Sequence, residues 1–288
     1  MNGLLVIDKP KSWTSHDVVN RVRRLSGERS VGHLGTLDPM ATGVLPIVLG
    51  KWTRLSQFYL KAEKTYEGSI RFGFSTDTYD AEGEATSVVS QVRPSAEELE
   101  KALTKFRGEI TQMPPPFSAK KIQGVPAYKL ARKKEDVTLQ PVNVTVKQLD
   151  VISCDGDLCQ FVTTVSAGTY VRSLAHDLGA ALGCGAHLAG LRRTQSGEFT
   201  QAQSATMERL EADGVAAYLL PARAVLPEMP SVIANDQQMQ KVRHGNPVNL
   251  SELSQEPLVK VFDGNRELVA LASRIAGTLF QPKIVLIA

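Results

Sequence analysis

The segment from Lys64 to Phe74, KTYEGSIRFGF, alternates with a period of two. Tyr66, Gly68, Ile70, Phe72 and Phe74 fall on one side, and Thr65, Glu67, Ser69 and Arg71 on the other. That is the pattern of a strand with one face against a core, and it is the best strand signal in the chain. Shorter apolar runs read as further strands at 3–8 (ended by Lys9-Pro10), about 44–49, 142–152 and 158–166. Helix signals stand between them. Thr14-Ser15-His16-Asp17 has the form of a capping box, Val18, Val22 and Leu25 follow at helical spacing, and Gly27 sits at the stop. Pro94-Ser95 with Glu98 opens a second helix carrying Leu99, Leu103 and Phe106, closed by Gly108. A third is expected at about 170–182.

A chain of 288 residues can bury a core without a disulfide or metal staple. Its composition shifts near Pro221, Pro227 and Pro230. The tail beyond carries turn signals at Gly245-Asn246-Pro247 and Asp263-Gly264, with short strands at 258–262, 267–272 and 283–287. The expected organisation is a large domain over 1–225 and a small β-rich module over 226–288.

The net charge of +3 does not announce a nucleic-acid binder, so any charge argument is local. Asp77 to Glu100 carries a net −6, and Phe117 to Asp136 a net +4. The basic segment follows Pro114-Pro115-Pro116, which continues neither a helix nor a central strand. It reads as an excursion over about 112–140, either a solvated surface helix or a flap that tracks phosphates. Cys154, Cys159 and Cys184 are odd in number and form no CxxC pair, which argues against a disulfide framework or zinc ribbon and fits a reducing compartment. The apolar run Leu4–Ile7 is too short for a signal peptide, and no stretch is long enough to span a membrane. A cytoplasmic protein is expected.

Cofactor motifs fail. Gly50-Lys51 lacks the remaining residues of a phosphate loop, and Gly183-Cys184-Gly185 has Leu188 at the third glycine site of a dinucleotide fingerprint. The acids Asp77, Asp80, Glu82 and Glu84 lack calcium-loop spacing and are expected to form a turn. No metal and no cofactor is expected.

Residues 32–49, GHLGTLDPMATGVLPIVL, place Asp38 between Leu37 and Pro39 in a glycine-rich loop that leads into an apolar strand. An aspartate before proline is ordinarily a turn residue. The extended string, however, closely resembles the active-site segment of the TruB family of pseudouridine synthases, GH-x-G-x-LDP-x-A-x-G-x-L. The resemblance continues in order through GLLVIDKPKSWTSHDVV, KTYEGSIRFGFSTDTYDAEG, MPPPFSAKKIQGVPAYKLAR, GTYVRSLAHDLG and HLAGLRRTQSGEF, covering about residues 3–225.

That resemblance implies an α+β fold, the pseudouridine synthase fold, with a mixed, largely antiparallel sheet flanked by helices. It also implies a small C-terminal module related to the PUA fold. It implies isomerisation of uridine to pseudouridine at position 55 in the T arm of tRNA, a reaction without redox step or energy donor. Asp38 is then the nucleophile or electrostatic partner at the sugar–base bond, Arg172 the cation that keeps it ionised, and Tyr66 the residue that lies on the uracil and is a candidate base for the C5 proton. Tyr170 is implied as a hydrogen-bonding partner, Leu191 as a pocket wall and His33 as the residue that fills space left by flipped nucleotides. Arg54 falls where relatives commonly carry lysine and is expected at a phosphate. Asp80 matches an acid near RNA or active-site water, and Lys120, Lys121, Lys129 and Arg132 become RNA contacts. The implied partner is the tRNA T stem-loop, with no membrane, no obligate protein partner and a monomeric chain. The rival readings are a guide-dependent ribosomal RNA pseudouridine synthase and a non-catalytic RNA-binding or RNA-folding protein on the same scaffold. An aspartate-nucleophile hydrolase would need a paired carboxylate or metal set at recognisable spacing, and none is present.

Overall fold

The structure is a computed structural model that describes residues 1–91, 93–117, 121–122, 125–126 and 139–287. Its main sheet is built from β1 (Gly3–Lys9), β2 (Val31–His33), β3 (Thr42–Leu49), β4 (Lys64–Phe72), β5 (Gly108–Gln112), β8 (Val142–Asp155), β9 (Leu158–Val165), β10 (Ala186–Ser196), β11 (Phe199–Thr200) and β12 (Ser204–Ala205). Between β5 and β8 lies a small ladder of β6 (Lys121–Ile122) with β7 (Val125–Pro126). The strand order is β12-β1-β3-β10-β4-β9-β8-β5, with β2 on β3 and β11 on β10. Only the β12–β1 and β3–β10 pairs are parallel; the sheet is mixed and largely antiparallel, as expected.

The helices are α1 (Ser15–Ser26), α2 (Ala96–Leu103), α3 (Val171–Ala181), α4 (Met207–Asp213) and α5 (Asp236–Arg243). Both expected capping boxes form. Thr14 Oγ1 accepts from Asp17 N and the Asp17 carboxylate accepts from Thr14 N; Ser95 and Glu98 do the same for α2. Gly27 ends α1 at φ 67°, where a side chain would be strained. The second helix stops earlier than expected. α2 ends at Leu103, a 3-10 turn covers Thr104–Phe106, and Gly108, at φ 85°, begins β5 rather than closing a helix.

The apolar runs of β1 and β3 are continuous because both faces are covered. Leu5, Ile7, Leu45 and Ile47 pack with Val18 and Val22 of α1, Leu99 and Leu103 of α2, Leu174 and Leu178 of α3 and Leu210 of α4. Leu4, Val6, Val44 and Val48 point the other way, against Trp52 and Leu55 of the 3-10 segment Gly50–Phe58 and against Phe262, Leu271 and Ile284. Those last residues belong to a second sheet, β13 (Ser231–Ile233), β14 (Val248–Asn249), β15 (Leu258–Phe262), β16 (Leu268–Ala276) and β17 (Leu279–Val285), ordered β13-β15-β16-β17-β14. The tail is thus β-rich and seated on the back of the main sheet.

β4 presents Tyr66, Ile70 and Phe72 to the helix-side core, the face read from its alternation. It ends at Phe72, two residues short of the expected limit, because Gly73 turns away at φ 118°. The cysteine expectation is overturned: Cys154 and Cys159 form a disulfide. They stand directly opposite each other across the β8–β9 hairpin, a register that cysteine spacing does not reveal. Cys184 is free and buried.

Candidate active site

The loop between β2 and β3 is pinned on several sides. Ser15 Oγ donates to Leu37 O at 3.1 Å and accepts from Leu37 N at 2.8 Å. Ser12 N donates to Pro39 O, and Ala41 N closes a turn onto Asp38 O. Leu37, Met40 and Ala41 are buried, while the Asp38 side chain keeps 39% of its surface accessible. Gly43, at φ 101°, lets β3 cross β10: a Cβ there would sit 2.2 Å from Arg193 O. The fold thus fixes the backbone around Asp38 and leaves its carboxylate to the solvent side.

Arg172, in the first turn of α3, meets that carboxylate. Its Nε lies 2.9 Å from Asp38 Oδ2, and its Nη1 lies 3.3 Å from Asp80 Oδ2. Nη1 also donates to Thr78 O at 3.1 Å and Nη2 to Phe117 O at 2.9 Å. All three guanidinium nitrogens are engaged, and the side chain is 8% exposed. The start of α3 is itself held: Tyr170 N donates to Gln112 Oε1, Gln112 Nε2 donates to Tyr170 O, and Ser173 Oγ donates to Met113 O.

Asp38, Tyr66, Tyr170, Arg172 and Leu191 line one cavity of about 300 Å³. Five of the residues singled out in the sequence, from four separate segments, therefore converge. Asp80 does not line it; it is buried behind Arg172, with Oδ1 accepting from Thr78 Oγ1 at 2.6 Å and Glu82 N at 3.0 Å. The turn expected around Asp77–Glu84 forms there. His33 lies in an adjoining cavity of about 250 Å³ that shares Gly35, Thr36, Leu60 and Lys64 with the first. Burial, then the nearby Arg193, pushes its imidazole below the usual histidine range. Arg54 lines neither cavity and donates to Val285 O at 3.0 Å, tying the 3-10 segment to β17. Lys120, Lys129 and Arg132 lie outside the described residues, and Lys121 is described only as part of β6.

Three cations escaped the sequence reading. Lys9 is buried and donates to Pro10 O, Trp13 O and Pro39 O; burial lowers it to about 8 against the opposing pull of Asp38. Lys64 and Arg193 line the main cavity. Lys64 had a signal, since it shares the parity of Tyr66 and so falls on the apolar face of β4.

A carboxylate on a fixed backbone, backed by a buried arginine and sharing a small cavity with an aromatic residue, is a site for reaction at one flat ring and the bond beside it. Among solved structures with this fold, the chain superposes at a TM-score of 0.70 on an H/ACA RNP bound to a substrate RNA containing 2'-deoxyuridine, with 26% identity, 99% of this chain covered and 85% of that one. An archaeal box H/ACA sRNP Nop10-Cbf5 complex gives 0.69 and 27%, with 99% and 86% covered. Fold and site are those of a pseudouridine synthase.

Residues 23–171 match the TruB family pseudouridylate synthase N-terminal domain, and 172–226 match the tRNA pseudouridylate synthase B C-terminal domain. The tRNA pseudouridine synthase B of Solibacter usitatus is 48% identical, over 99% of this chain and all of its own length. That of Aquifex aeolicus is 39% identical over the full length of both. The chain belongs to the TruB family of pseudouridylate synthases.

Proposed function

We propose that this protein isomerises uridine to pseudouridine at position 55 in the T arm of tRNA. The observation that carries the reading is the Asp38–Arg172 pair at a cavity walled by Tyr66 and Leu191. At about 300 Å³ the cavity lies at the small end of ligand sites, suited to one nucleoside and not to a duplex. The target base must leave its stack, at a cost of a few kcal/mol that is smaller in a loop than in a helix.

In the reaction the N1–C1′ bond breaks, the uracil turns, C5 bonds to C1′, and the C5 proton leaves while N1 gains one. Asp38 serves the sugar–base bond as its nucleophile or electrostatic partner, with its carboxylate oriented by the Arg172 guanidinium. Tyr66 lies on the uracil face and takes the C5 proton. Leu191 walls the ring so that it turns in place. His33 fills the space vacated by flipped nucleotides. Tyr170 steadies the start of α3 and bonds to the base or the arginine. Asp80 supports Arg172 from behind.

The division of labour follows the two sheets: 1–225 carries catalysis, with the basic excursion at about 112–140 on the RNA, and 226–288 adds RNA contact. Arg54, Lys120, Lys121, Lys129 and Arg132 are proposed at phosphates. The protein works as a monomer in the cytoplasm without guide RNA or protein partner; none of its described helices is long and apolar enough to cross a membrane. The guide-dependent reading draws on the H/ACA assemblies with which the fold superposes. Nucleoside mapping of an unmodified tRNA transcript treated with the protein alone separates the two. Pseudouridine at position 55 supports the proposal. Its appearance only after a guide RNA is added overturns it.

A further inference from the structure

Among the described residues, two buried cations in the main cavity lack a counter-charge. Lys64 is 9% exposed and Arg193 1% exposed. Arg193 donates Nε to Val44 O, Nη1 to Thr36 O and Nη2 to Gly35 O, and Lys64 Nζ donates to Ala62 O. These acceptors are neutral backbone carbonyls, and neither cation has a carboxylate partner among the described residues. The contrast is Arg172, which bridges two carboxylates. The two cations are neighbours: a Cβ placed on Gly35 would lie 3.5 Å from Arg193 Nη1 and 3.6 Å from Lys64 Cε. Burial and the field of Arg193 lower Lys64 to about 8, with no acid acting to raise it.

Proteins seldom bury charge without a partner, because desolvation goes uncompensated. Two such cations side by side mark the place of an anion that arrives with the ligand. Lys64 stands on the wall shared by the Asp38 cavity and the His33 cavity. Its ammonium has three donors, and one is used among the described residues. An RNA whose target nucleotide occupies the first cavity and whose neighbour occupies the second must carry a phosphodiester across that wall. We propose that Lys64, backed by Arg193, is the binding site for a phosphodiester flanking the target uridine. This rests on the isomerase reading above and adds to it the group that anchors the nucleotide on its backbone side.

The test uses T-arm stem-loops in which the 5′ or the 3′ linkage of the target uridine is an uncharged methylphosphonate. Kd and kcat/KM are measured for the wild type and Lys64→Met. Neutralising one of the two linkages is expected to weaken the wild type by about 10- to 100-fold, the range for a charge-assisted hydrogen bond. Lys64→Met is expected to show a similar loss on the native RNA and no further loss on the neutralised one. Lys64→Met is also expected to melt no lower than the wild type, because it removes an uncompensated buried charge. Losses that multiply, or a wild type indifferent to both linkages, overturn the assignment. RNA that binds without being isomerised counts against the isomerase reading alone, and the linkage comparison is then read in Kd.

Discussion

Arg172 Nε lies 2.9 Å from Asp38 Oδ2, while the other side of the same guanidinium is held by Asp80. The arginine is a fixed hinge between a carboxylate that faces the cavity and one that is buried. Substituting either neighbour therefore has different consequences.

Removing the buried acid loosens the hinge. Asp80→Asn keeps the shape and loses the charge that fixes Nη1. It is expected to lower kcat by about 10- to 100-fold, with a smaller change in KM, and to lower stability by about 1–3 kcal/mol. Steady-state kinetics with urea melts check both. Unchanged kcat would mean that Asp80 serves only the turn.

Arg172→Lys keeps the charge and loses the fork. A lysine cannot reach Asp38, Asp80, Thr78 O and Phe117 O together. A loss of at least about 100-fold in kcat/KM is expected. Near-normal activity would show that charge alone suffices.

Asp177, on α3, is pushed up by burial to about 6. Its folded-state value exceeds its unfolded one, so the charged form weakens the fold above that range, and the penalty vanishes as both states become protonated. Asp177→Asn is expected to raise Tm at pH 7 to 8 and to leave it nearly unchanged at pH 3, below both values. Equal shifts at both pH values would contradict this.

The Cys154–Cys159 bridge closes a short hairpin loop, so it contributes at most about 2 kcal/mol. It lies at the end of β9 away from Val165, which lines the cavity, about 20 Å distant along the strand. The Cys154→Ser/Cys159→Ser variant is expected to lower Tm and to leave kcat/KM unchanged. A loss of activity at full stability would tie the hairpin to the site.

Much of this was legible in the residues. Both capping boxes and the face of β4 are local patterns, and local physics made them. The convergence of Asp38, Tyr66, Tyr170, Arg172 and Leu191 was legible only through ordered family motifs, since their pairings span the whole sheet. β10 was missed because Gly190, Arg192 and Arg193 break its alternation. Its arginines are hydrogen-bonded by distant groups: Arg192 by Asp8, and Arg193 by the carbonyls of Gly35 and Thr36 in the Asp38 loop and of Val44 in β3. The disulfide was missed for a related reason, because only the hairpin register brings the two cysteines opposite each other.

The most direct measurement is tritium release from [5-³H]uridine in a T-arm stem-loop, with wild type and Asp38→Asn compared at matched RNA occupancy. Release by the wild type is expected, with Asp38→Asn slowed by about 10³-fold or more while its RNA affinity is kept. Release by Asp38→Asn at the wild-type rate would contradict the role of Asp38 and with it the assignment of the cavity.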